Sequence, residues 1–123
     1  MKMYKFKFSV AYADTDAGGI MYHGRYIEIA ERARMEMLRG LDMGDVGFVV
    51  RELSVKYIHP LHLADDITVE TEIVNVGGVS MDLKQKFVHD NVICAIMNIT
   101  VVCVGSDMRI KRIPDSMLRC LDV

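Results

Sequence analysis

Apolar and polar residues alternate from the start of the chain. Tyr4, Phe6, Phe8, Val10 and Tyr12 interleave with Lys5, Lys7, Ser9 and Ala11. That period of two predicts a strand with one buried face. Asp14-Thr15-Asp16-Ala17-Gly18-Gly19 follows, a run of turn residues. From about Ile20 the period changes. Tyr26, Ala30, Ala33 and Met37 fall at i, i+4, i+7 and i+11, the stripe of a long helix. Glu28 and Arg32 are spaced for an i,i+4 ion pair, and Gly40 sits at the closing cap position. Beyond Gly44 and Gly47 the alternation returns. Leu53, Val55 and Tyr57 form one strand, stopped by Pro60, and Ile67, Val69, Thr71 and Ile73 form the next. Gly77-Gly78 reads as a hairpin turn into Val79, Met81, Leu83, Gln85 and Phe87. His89-Asp90-Asn91 turns into Val92 to Val104, apolar on nearly both faces and so expected to be buried on both sides. A short helix is expected over Pro114 to Leu121.

The order is strand, long helix, then four strands joined by tight turns. It predicts an antiparallel sheet with one face covered by the helix, an α+β fold. The apolar outer strip of the last strand predicts self-association.

A chain of 123 residues, 51% hydrophobic and 26% charged, is too short for two cores and too apolar to be disordered, so residues 1–123 read as one domain. A net charge of -2 leaves no nucleic-acid footprint, and no apolar run is long enough for a transmembrane segment. Cys94 and Cys103 share one expected strand, about 30 Å apart, too far to pair. With Cys120 they read as reduced thiols of a cytoplasmic protein.

The chemistry concentrates where the first loop feeds the helix, expected to begin between Ile20 and His23. A carboxylate there would sit beside the positive end of the helix and its unpaired N–H groups, which suit an oxygen that becomes negative during reaction. Gly18 and Gly19 allow close approach to the backbone. Spacing alone leaves two readings open: Asp16 as a helix cap with His23 at the surface, or Asp16 as nucleophile or general base with His23 beside it. No metal-ligand spacing is present, and His59 and His62 read as loop histidines. Arg109, Lys111 and Arg112 form a small basic group, either solvated or placed for a phosphate. Several of the ten methionines could line an adaptable groove.

The segment Tyr12-Ala13-Asp14-Thr15-Asp16-Ala17-Gly18-Gly19-Ile20-Met21-Tyr22-His23, with Tyr26, Glu31-Arg32-Ala33-Arg34 and Glu36, closely resembles the signature of the YbgC branch of hot-dog-fold acyl-CoA thioesterases. These are similar to 4-hydroxybenzoyl-CoA thioesterases. The resemblance continues at Tyr57, Pro60, Asp65-Asp66, Val69 and Ile113-Pro114, so it covers almost the whole chain.

The resemblance implies a hot-dog fold, one long helix wrapped by a curved five-stranded antiparallel sheet. It implies a homodimer with one continuous sheet, commonly paired into a homotetramer, with active sites at the subunit interface. The implied reaction is hydrolysis of an acyl-CoA thioester to free acid and CoA, with no metal and no cofactor. Asp16 and His23 would be catalytic: Asp16 as nucleophile or general base, His23 through its backbone N–H on the thioester carbonyl and, in this branch, through its imidazole. Substrate contacts are expected at Gly18, Gly19, Tyr22, Arg25 and Tyr26, and further out at Ser80, Arg109, Lys111 and Arg112. Two departures stand out. Arg25 follows Gly24 where relatives carry a small polar residue, and the Gly77-Gly78-Val79-Ser80 hairpin lacks the basic residue some relatives place near the CoA phosphates. The second keeps one alternative in view, a thioesterase acting on acyl-carrier protein; a hot-dog module that binds acyl-CoA without turning it over is a separate alternative, which loss of Asp16 or His23 would have favoured.

Overall fold

The computed structural model describes residues 2–41 and 43–121. Five strands form one antiparallel sheet: β1 (Met3–Ser9), β2 (Gly47–Tyr57), β3 (Asp66–Val76), β4 (Ser80–His89) and β5 (Val92–Val104). Their spatial order is β1-β3-β4-β5-β2, so β1 and β2 are the two edges. The long helix α1 (Arg25–Arg39) covers one face, and a short helix α2 (Asp115–Cys120) closes the chain. This is the helix-and-sheet arrangement that the resemblance implies.

The expected stripe is the buried side of α1: Tyr26, Ala30, Ala33 and Met37 are each 7% exposed or less, and Ile29 joins them. Ala30 and Ala33 carry only a methyl group, which lets the helix backbone approach the sheet closely. They share one buried core with the inward residues of β3, β4 and β5, among them Val69, Leu83, Phe87 and Met97. One polar network lies inside this contact. Arg34 Nη1 donates to Gln85 Oε1 at 2.9 Å, and Gln85 Nε2 donates to the Ala30 carbonyl at 2.9 Å and to Thr71 Oγ1 at 3.0 Å. Burial pulls the Arg34 guanidinium below its ordinary pKa, while Glu31 acts in the opposite direction.

The structure corrects several expectations. The first strand ends at Ser9, not Tyr12, and Tyr12 is 82% exposed in a 3-10 turn over Tyr12–Asp14. The Asp14 carboxylate takes the Ala11 N–H at 2.8 Å, so the backbone finds its partner locally instead of in the sheet. The helix begins at Arg25, not between Ile20 and His23. Residues 15–21 instead fold into a tight loop, with bridges between Thr15 and Met21 and between Ile20 and His62. Glu28 pairs with Arg25, one turn earlier, while Arg32 lies over the Phe6 ring at 5.7 Å. The last strand is buried on both faces only at Cys94–Ala95 and Val101–Val104. Near the second stretch the 110–113 segment runs back along the strand, with the Lys111 N–H donating to the Cys103 carbonyl. Between them Asn98 is exposed and Thr100 half-buried, so the outer strip is not continuous. Exposed apolar residues gather elsewhere, at Ile27 and Met35 on α1 and Val49, Val50 and Tyr57 on β2.

The two glycines at 77 and 78 do turn β3 into β4, and Asp90 and Asn91 turn β4 into β5 with φ of 50° and 63°. Cys94, Cys103 and Cys120 are all free, the first two buried and the third exposed.

Candidate active site

Three segments meet at the N-terminal end of α1: the 15–23 loop, the first turn of the helix, and the end of β2 running on to Pro60. They enclose a cavity of about 280 Å³ lined by Asp16, Ile20, Met21, His23, Tyr26, Tyr57, Ile58, His59 and Pro60.

The loop's geometry follows from its glycines. Gly19 has φ +80°, a left-handed conformation that a side chain would strain. Asp16 Oδ1 accepts the Gly18 N–H at 2.8 Å, and a Cβ at Gly18 would lie 3.2 Å from that same oxygen. The glycine therefore keeps the carboxylate folded over its own turn. Tyr22 packs across Gly24, where a Cβ would sit 2.8 Å from the ring. That fixes the chain just before the helix. The Tyr22 ring also lies tilted against the His23 ring, centroids 4.3 Å apart.

His23 is held from the other side. Tyr57 Oη donates to the His23 carbonyl at 2.7 Å. The His23 N–H has no backbone acceptor among the described residues and stands next to the positive end of α1. Tyr26 lies edge-on to both Tyr57 and Phe87, at 5.0 and 5.2 Å. Burial pushes its hydroxyl up to about 12, so it stays a neutral phenol at physiological pH. Burial raises Tyr57 as well, with Tyr22 adding in the same direction. The cavity thus combines one carboxylate, two imidazoles and a free amide with largely apolar walls.

The expected contacts divide clearly. Asp16, His23 and Tyr26 line the cavity, Gly18 and Gly19 shape its loop, and Tyr22 braces it from behind. Arg25 points elsewhere: its Nε donates to Asp14 Oδ1 at 2.7 Å and its Nη1 to Glu28 at 2.6 Å. The carboxylate tied to the start of the helix is therefore Asp14, not Asp16. Ser80, Arg109, Lys111 and Arg112 cluster at the other end of the sheet, beside the Gly77-Gly78 hairpin and the end of β5. The cavity meets β5 at Cys94, whose carbonyl accepts the N–H groups of both Ile58 and His59. Ten residues of strand, about 33 Å, separate Cys94 from Val104. One chain does not bring the basic group to Asp16. Ile58 and His59 are held at the site by that pairing to Cys94, and the next residues by the Met21 N–H on the Leu61 carbonyl, neither of which a local pattern in their own segment announces. Among the described residues no cluster of His, Cys, Asp and Glu is arranged to hold a metal ion.

The chain matches the thioesterase-like superfamily over residues 10–121. It is 36% identical to the acyl-CoA thioester hydrolase YbgC of Escherichia coli O157:H7, over 94% of this chain and 93% of that one. This protein belongs to the thioesterase-like superfamily. Within that superfamily it is also 35% identical to the acyl-CoA thioesterase YbgC of Haemophilus influenzae, over 82% of this chain and 80% of the relative. A solved structure of a probable thioesterase from Bartonella henselae superposes with a TM-score of 0.83 at 28% identity, covering 92% of this chain and 98% of the other. The fold is the hot dog expected from the signature.

Proposed function

We propose that this thioester hydrolase cleaves acyl-CoA, with Asp16 and His23 as its catalytic residues. The observation that carries the reading is a single cavity holding a carboxylate rim, a free amide at a helix start and an apolar lining. Those are the three things hydrolysis of an acyl thioester asks for.

The thioester carbonyl oxygen accepts the His23 N–H, aided by the helix dipole, and gains negative charge as the tetrahedral intermediate forms. The acyl group lies against Met21, Tyr26, Tyr57 and Ile58. Asp16 either removes a proton from water as the water oxygen attacks, or attacks the carbonyl carbon itself and forms a mixed anhydride that water then opens. Either route breaks the C–S bond, releases the CoA thiolate and consumes one water. The products are the free acid and CoA. The thiolate is a fair leaving group, so the reaction needs no metal.

The protein works as a homodimer or homotetramer in this reading, supported by the open β2 edge and the exposed apolar residues beside it. Its three free cysteines support a cytoplasmic location. No helix among the described residues is long and apolar enough to cross a membrane.

The test is a panel of aliphatic and aromatic acyl-CoAs assayed for thiol release, with and without exhaustive chelation. Turnover on at least one, unchanged by the chelator, is expected. Binding without release would leave a non-catalytic module. Activity that disappears with the chelator and returns with one divalent ion would overturn the mechanism.

A further inference from the structure

The Asp16 cavity holds two imidazoles, and the reaction above uses only that of His23. The other belongs to His59, whose backbone and ring are treated in opposite ways. Its N–H donates to the Cys94 carbonyl at 3.0 Å, beside the Ile58 N–H at 2.8 Å. Pro60 follows and narrows the conformations open to it. The ring has no hydrogen bond or ion pair among the described residues. The other three histidines differ: His62 and His89 face carboxylates, and His23 lies against Tyr22. A backbone tied down beside a cavity, with both ring nitrogens uncommitted, places a reactive group and keeps it available.

The ring also belongs to the open end of the cavity. Met21 and Tyr26, 2% and 3% exposed, form its buried end. Tyr57, Ile58 and His59 are exposed. A space of about 280 Å³ suits an acyl group rather than a nucleotide, so CoA leaves past the exposed residues. The Ile20–His62 bridge and the Met21 N–H on the Leu61 carbonyl pair the two segments antiparallel. Counting back along that register sets His59 level with His23. In the proposed reaction the His23 N–H holds the carbonyl oxygen, and the sulfur is bonded to the carbon that bears it.

Direct attack by Asp16 creates a need for a proton at that sulfur. The tetrahedral intermediate can expel either the carboxylate or the thiolate. Ordinary pKa values of about 3.9 for the carboxyl and about 8.5 for an alkyl thiol make the carboxylate the better leaving group by about four to five powers of ten. Without help the intermediate returns to substrate. We propose that His59 is a catalytic acid–base residue that protonates the departing CoA sulfur. The inference rests on the acyl-CoA reading and belongs to its direct-attack route. As the C–S bond breaks, its electron pair takes the proton of the His59 imidazolium, and CoA departs as the thiol. The neutral ring then accepts a proton as water opens the anhydride. That step frees the acid and restores both the Asp16 carboxylate and the imidazolium. An imidazole titrates near neutrality, so one ring serves in both directions.

Changing the leaving group tests this. His59→Ala removes an exposed ring with no polar partner, so the variant folds as the wild type does. Its kcat is measured on two thioesters of one acyl group, the CoA ester and the trifluoroethanethiol ester, whose thiolate is less basic and leaves unaided. The loss is expected to be about a hundredfold on the CoA ester and less than about threefold on the fluorinated one. A merely structural role would lower both alike. Equal losses on the two esters, or no loss on the CoA ester, overturns the inference. If the wild type does not accept the fluorinated ester, imidazole added to His59→Ala decides on the CoA ester alone. Recovery of at least about tenfold supports the proton transfer, and no recovery overturns it. Wild-type protein that hydrolyses no acyl-CoA rejects the proposed function itself. Full wild-type turnover with an unimpaired His59→Ala rejects only the role of His59.

Discussion

Asp14 and Asp16 stand two residues apart in one loop, and the molecule uses them in opposite ways. Asp14 is 7% exposed, with one oxygen on the Arg25 Nε and the other on the Ala11 N–H. Asp16 is exposed, holds one N–H from Gly18, and lines the cavity beside His23. The first carboxylate has its lone pairs committed to holding the loop against the helix. The second accepts a single N–H, keeps lone pairs free and lines the cavity. Under the proposed function, the loop assigns anchoring to one carboxylate and chemistry to the other.

The comparison breaks most sharply at Asp16. Asp16→Asn is expected to lower kcat by a factor of roughly a hundred or more with Tm nearly unchanged, as for loss of a nucleophile or base. A purified variant with near wild-type turnover would remove Asp16 from the chemistry.

His23→Ala comes next, because it separates the amide from the ring. The substitution leaves the backbone N–H in place. If the imidazole orients Asp16 or the attacking water, the rate falls roughly ten- to ten-thousand-fold, and that is the expected result. A near-normal rate in His23→Ala would leave only the amide at work.

Asp14→Ala sharpens the contrast from the other side. It removes a charged hydrogen bond and an ion pair and leaves the Ala11 N–H without its acceptor, a loss of about 2 kcal/mol. Thermal unfolding should shift down by several degrees while kcat in the folded fraction changes less than about threefold. A hundredfold drop in kcat with unchanged Tm would show that the two carboxylates do not divide the work.

The smallest effect lies at the end of β4, at His89. Its Nδ1 contacts the Asp66 carbonyl at 2.8 Å, while its Nε2 faces Asp65 at 3.6 Å and Asp90 at 3.3 Å. The bond to Asp66 raises its pKa, and the carboxylates add to that. A raised folded-state pKa means the charged ring is favoured in the folded chain. The stabilisation is complete below the unfolded value near about 6.5 and disappears as pH rises through the folded value. The Tm difference between wild type and His89→Gln should therefore be larger at acidic than at alkaline pH. A difference that grows toward alkaline pH would reverse the assignment.

Much of this architecture is legible in the chain because period-two alternation and the helical stripe are set by burial on one face. β3, β4 and α1 follow their patterns closely, and the Gly77-Gly78 and Asp90-Asn91 turns lie where their residue types put them. The misread boundaries share one cause. Tyr12 continues the alternation, yet the Asp14 side chain captures the backbone first. Ile20 to His23 look like a helix start, yet the glycine loop and its bridges to Met21 and His62 claim those residues. The motif points to Asp16 and His23, and both line the cavity, whereas His59 depends on a partner 35 positions away at Cys94. The Arg34–Gln85 bond spans 51 positions and joins a helix to a strand. Contacts of that range leave no local trace in a sequence.

The burial of Cys94 and Cys103 has a use at the bench. Burial raises the pKa of both thiols, which keeps them as unreactive thiols rather than thiolates. Cys120, exposed on α2, is the thiol within reach of reagents. A dye or spin label supplied to the native protein would settle on that one helix, away from the loop that holds Asp16. The fold has thus left a single addressable handle on each chain. Two such handles in an assembly give one interchain distance that can be followed while the sites turn over.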